Sequence, residues 1–129
     1  MNQNTTVSER IAALKRQLGG GVSPAMATPL VPGTHTVNTA VIPQLVDFLA
    51  ARGVKGLFVG GTTGEGILLD VDERQALHAA TAEAARGRVA VLLHVGAQRT
   101  ETSVALAKHA AGLRPDALVA MTPIFYGLS

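Results

Sequence analysis

From Val22 onward the sequence repeats one unit: a short apolar run, a glycine or polar turn, then an amphipathic stretch with helical spacing. The apolar runs fall at 22–28, 56–59, 89–95 and 117–121, and the helical stretches at about 41–52, 71–86 and 101–113. Units of roughly 30 residues have the size of a βαβ element. The runs are continuous rather than alternating, with Val89-Ala90-Val91-Leu92-Leu93 the clearest. That pattern marks strands covered on both faces, hence a parallel sheet with helices outside. A composition 47% hydrophobic but only 3% aromatic suits this better than a β-sandwich. Two arrangements satisfy the pattern: a doubly wound sheet, or part of a barrel.

Each helix has a local cause. Thr6 and Glu9 have capping-box spacing, and Ile11, Leu14 and Leu18 share a face, so residues 6–18 read as an accessory helix ended by Gly19-Gly20-Gly21. The second helix presents Ile42, Leu45, Val46 and Leu49, with Pro43 in its first turn where a missing N–H costs least. The third starts on the Asp70/Glu73 box, should bury Leu77, Ala80 and Ala84, and should end on a left-handed Gly87. The fourth starts near Thr100 as N-cap and should bury Val104, Ala107 and Ala111.

Parallel sheets bind ligands at the carboxyl ends of their strands. There the sequence places Thr28-Pro29, then Gly60-Gly61-Thr62-Thr63-Gly64-Glu65-Gly66, then His94-Val95-Gly96, then Thr122-Pro123-Ile124-Phe125-Tyr126. The second segment is the most informative. Its glycines let backbone approach a ligand, its successive N–H groups can form a nest for an anion, and Thr62 and Thr63 add paired hydroxyls. A plain connecting turn is the competing reading. The loop is neither a Walker A motif nor a dinucleotide fingerprint. Glu65 is read as a side chain that holds the loop through local backbone N–H groups rather than as a general base. His94 is a candidate substrate contact or a hydrogen-bonded strand-end histidine.

Other chemistries are disfavoured. There is no cysteine, which removes disulfides and thiolate sites, and the four histidines have no metal-ligand spacing, so no metal site is expected. An imine-forming lysine needs a dry pocket at the carboxyl ends of the strands, yet Lys55 precedes a strand and Lys15 and Lys108 lie on helices. The net charge of +2 is scattered, without a basic run or interleaved aromatics, so no nucleic-acid partner is expected. With no apolar signal core and no run of the roughly 18 residues that would span a membrane, the expectation is a soluble cytoplasmic protein without a membrane partner.

The loop Gly60-Gly61-Thr62-Thr63-Gly64-Glu65, with Glu73 beyond it, resembles the signature of the dihydrodipicolinate synthase/N-acetylneuraminate lyase family. Gly21-Val22, Thr28-Pro29, the stretch 53–59, Leu93-His94-Val95-Gly96 and Thr122-Pro123 agree in order and spacing. The resemblance covers about residues 21–126, and the double glycine and His94-Val95-Gly96 lie nearer the neuraminate-lyase branch.

The resemblance implies a partial (β/α)8 TIM barrel: an accessory helix in residues 1–20, then in residues 21–129 a truncated first half with about four parallel strands and three crossover helices. It implies a homo-oligomeric class I aldolase acting on pyruvate or a pyruvate-derived 2-keto acid through a lysine imine (Schiff base), with no cofactor. Thr62 and Thr63 match the hydroxyl residues that hold the substrate carboxylate, with Gly61, His94 and Tyr126 as further substrate-binding candidates. In the synthase branch the position of Thr62 also joins a proton relay. The family's catalytic tyrosine and imine lysine follow its fifth and sixth strands and have no counterpart among these 129 residues, and its interface tyrosine corresponds to Phe125. The expectation is therefore a chain inactive alone, completed by a complementary carboxy-terminal half, or else a non-catalytic half barrel that binds small carboxylates or self-associates.

Overall fold

A computed structural model describes residues 5–122 of the chain. Helix α1 (Val7–Leu18) is followed by an irregular segment, a 3-10 turn at Thr39–Val41 and helix α2 (Ile42–Ala50). Strand β1 (Gly56–Val59), helix α3 (Val71–Ala85), strand β2 (Ala90–His94), helix α4 (Thr100–Gly112) and strand β3 (Ala117–Val119) complete the order. The sheet runs β1-β2-β3 with both pairings parallel, and α3 and α4 are the crossovers.

The register pairs Leu57 with Val91 and Val59 with Leu93. Side chains alternate along a strand, so these four share one face. They join Ile42, Val46, Leu77 and Leu106 in a single buried core. Phe58 and Leu92 point to the other face and are only half-buried. The expectation of strands covered on both faces thus holds for the helix side. On the other side Leu18 of α1 and Ser23 lie against Gly56 beside Leu92.

The expected first strand at 22–28 is instead a single bridge between Ala25 and Phe58. Met26 N donates to Phe58 O at 2.9 Å and Phe58 N to Pro24 O at 3.0 Å, which is the start of a parallel ladder. Two residues back along that edge stands Pro24, which has no N–H to continue it. The sheet therefore has three strands rather than four among the described residues, and the expected fourth run is strand only over Ala117–Val119.

Helix starts follow the sequence closely. Both capping boxes form, Thr6 with Glu9 and Asp70 with Glu73, and Gly87 takes φ +71 just beyond α3. Arg99 rather than Thr100 occupies the cap position of α4, with no side-chain cap bond. The buried faces differ more. On α3 the buried residues are Arg74, Leu77, His78, Thr81 and Ala85, with Ala80 and Ala84 at the margin. On α4 they are Leu106 and Ala110, while Val104 is exposed. Among the described residues no helix is long and apolar enough to cross a membrane.

Candidate functional site

The carboxyl end of the sheet is shaped by how the chain leaves β1. Gly60 takes φ +71 and turns the backbone out of the strand. The loop then doubles back, with Gly66 N donating to Gly61 O at 3.1 Å and Glu65 N to Thr62 O at 3.0 Å. A Cβ at Gly66 would collide with the carbonyl of Gly60, so only glycine allows this approach of backbone to backbone. Thr28 Oγ1 donates to Gly64 O at 2.6 Å, which ties the loop to the bridged segment beside β1.

This folding leaves Thr62 and Thr63 exposed at the turn. Among the described residues neither hydroxyl makes a hydrogen bond, and neither amide donates one. Thr62 lines a pocket of about 60 Å³ together with Gly60, Gly61, His94, Gly96 and Met121. Thr63 stands next to it but outside the lining. A water needs roughly 10–15 Å³ on this measure, so the pocket takes several water-sized groups. Of the other candidates, Tyr126 lies outside the described residues.

Glu65 corrects an expectation. Its side chain is exposed and makes no hydrogen bond among the described residues; it shapes the loop through its left-handed backbone, φ +52. The lysines stand where the sequence put them: Lys15 on α1, Lys108 on α4, and Lys55 just before β1 with its side chain against Gly21. None of the three lines the pocket. Among the described residues no three of His, Cys, Asp and Glu come together as metal ligands.

Beneath the mouth lies a group that the sequence reading missed. Arg74 and His78 sit one turn apart on the buried face of α3. Arg74 Nη1 donates to Gly96 O at 2.8 Å, and Nη2 donates to His94 O at 2.6 Å and lies 3.3 Å from His94 Nδ1. His94 is 8% exposed, and its ring tilts against Phe58, with centroids 5.9 Å apart. Burial, then the charge of Arg74, pushes the His94 pKa below its ordinary value, while the Gly60 carbonyl pulls weakly the other way. His78 is pushed down to about 4, first by burial and then by the charges of Arg74, His109 and His94, against a weak opposing pull from the His94 carbonyl. Neither His78 nitrogen makes a hydrogen bond of good geometry among the described residues. The signal was present in the sequence: Arg74, Leu77, His78 and Thr81 have the spacing of one helical face. Their polarity argued for solvent, and small alanines offered a blander stripe.

The arrangement offers an anion two hydroxyls and free amides at the lip, with neutral imidazoles and a fixed positive charge below. The model of the dihydrodipicolinate synthetase family matches residues 19–129. N-acetylneuraminate lyase of Citrobacter koseri is 38% identical over 109 residues, 84% of this chain and 36% of the relative. The mouse N-acetylneuraminate lyase is 39% identical over 114 residues, 87% of this chain and 35% of the relative. Among solved structures, N-acetylneuraminate lyase from Mycoplasma synoviae superposes with a TM-score of 0.82 at 33% identity, covering 89% of this chain and 39% of that one. A prophage protein of the dihydrodipicolinic acid synthase family from E. coli K12, solved in complex with pyruvate, gives 0.79 at 28% identity, covering 84% of this chain and 36% of that one. The chain thus spans little more than a third of the length of these relatives.

Proposed function

The chain belongs to the dihydrodipicolinate synthetase family, and on that footing we propose that its Gly60–Gly66 loop holds the carboxylate of pyruvate or a pyruvate-derived 2-keto acid in a class I aldolase or lyase. One observation carries the reading. Thr62 and Thr63 present adjacent exposed hydroxyls and undonated amides at a turn that lines a pocket on the carboxyl ends of parallel strands. A carboxylate is acceptor-only and saturates such donors, and hydrogen bonds to a charged group are the stronger kind. The prophage relative solved with pyruvate supports the choice of acid.

The imine step needs an amine at the mouth. Lys15, Lys55 and Lys108 all lie away from it, which supports a nucleophile supplied from outside these residues. The segment in hand binds and orients the keto acid. With the carboxylate held by the loop, the keto carbon faces the mouth, where an external lysine can condense with it.

The test is pyruvate binding followed by ligand-observed NMR. The 129-residue chain should bind pyruvate; Thr62→Val with Thr63→Val should reduce affinity by roughly a hundredfold or more, the loss of about two hydrogen bonds to a charged group, and leave the fold intact. Treatment of the wild-type sample with borohydride leaves its mass unchanged. Undiminished affinity in the double variant, or a reduced adduct on any of the three lysines, contradicts the assignment.

A further inference from the structure

Arg74 is the one formal charge buried among the described residues, at 3% exposure. It belongs to none of the ion pairs there, which are Arg86–Glu83, Arg88–Asp47 and Arg99–Glu101. A buried guanidinium without a carboxylate is expensive to desolvate and persists only where hydrogen bonds hold it. Those bonds go to the carbonyls of Gly96 and His94, both at the carboxyl end of β2, and to the ring of His94.

The ring contact has a direction. A guanidinium carries donors and no acceptor, so His94 Nδ1 at 3.3 Å from Nη2 must accept. A neutral imidazole that accepts at Nδ1 carries its proton on Nε2. Nε2 is buried beside Gly96, since a Cβ placed on Gly96 would come 3.1 Å from it. It makes no hydrogen bond of good geometry among the described residues. His94 also forms part of the pocket lining together with Gly60 and Thr62.

We propose that Arg74 is a positioning residue for the mouth: it fixes His94 as the Nε2–H tautomer and clamps the end of β2 through two carbonyls beside the Thr62–Thr63 loop. Arg74 touches no ligand; it acts through His94 and Gly96. The effect on ligand binding rests on the carboxylate reading above, whereas the tautomer does not.

The experiment is nitrogen-15 NMR of the histidine rings in the full 129-residue chain, with pyruvate titrations alongside. The wild type should show His94 protonated at Nε2 and bare at Nδ1. Arg74→Met should let the ring populate the other tautomer and weaken pyruvate binding roughly tenfold, the size usual for outer partners that orient a binding group. Removing a buried charge can also unfold the chain, so two measurements stand apart from that variant. The wild-type spectrum alone decides the tautomer, and a proton on Nδ1 overturns the proposal. Arg74→Lys keeps the charge but cannot span both carbonyls and the ring; it should weaken pyruvate binding, and wild-type affinity with an unchanged ring overturns the clamp. If the wild type binds no pyruvate, the carboxylate reading falls, while the tautomer spectra of wild type and Arg74→Lys still decide this one.

Discussion

Among the described residues His78 carries the clearest pH signature. Its ring is fully buried, and burial with three neighbouring cations or would-be cations lowers its pKa from 6.5 to about 4. In the unfolded chain the same ring protonates near its ordinary value. Folding therefore favours the neutral form. The stability that this brings is present above pH 6.5 and is lost as pH falls toward 4. The shift corresponds to about 3 kcal/mol across that window. His94 is shifted in the same direction and adds to the slope. Denaturant titrations should show stability falling steeply between pH 6.5 and 4, and His78→Leu should flatten much of that fall. Near neutrality the same variant should be close to neutral in stability, because it removes two buried nitrogens that have no partner. An unchanged pH slope in His78→Leu would show that the ring is not the group that titrates.

At the scale of elements, the loop after β1 is a piece of backbone packed on backbone. Gly66 allows its contact with the Gly60 carbonyl, and neither side of that contact is a flexible side chain that could move away. Gly66→Ala should cost about 1–3 kcal/mol, lower the thermal midpoint by several degrees and open the turn that carries Thr62 and Thr63. A wild-type midpoint would mean that the loop does not close in this way. The position of that loop was legible in the sequence because it depends on local signals: a continuous apolar run before it, glycines within it and the Asp70/Glu73 box after it. The buried side of α3 was not legible. Periodicity alone admits two neighbouring stripes, and the true one carries Arg74, His78 and Thr81, whose burial depends on the end of β2 supplying carbonyls. The first strand failed for a similar reason, since its apolar pattern is right but Pro24 removes the donor that the ladder needs. Glu65 was placed in the right loop with the wrong means of holding it: backbone torsion rather than the side chain.

At the scale of the whole molecule, three parallel strands with their crossover helices bring the ends of β1 and β2 together and give the site its floor. The loop and the pocket lie at one end of the sheet. The opposite end offers a competing place for an anion, an open cleft lined by Arg16, Lys55 and Arg88. The two differ in kind. The cleft presents long cationic side chains, and Arg88 there is already paired with Asp47 at 2.7 Å. The mouth presents short hydroxyls, amides and a buried fixed charge. Amide shifts of the wild-type chain, followed while pyruvate is added, separate these directly. The account predicts that Gly61, Thr62, Thr63 and Gly64 move first and saturate together. Shifts confined to Arg16, Gly19, Lys55 and Arg88, with the loop silent, would contradict it.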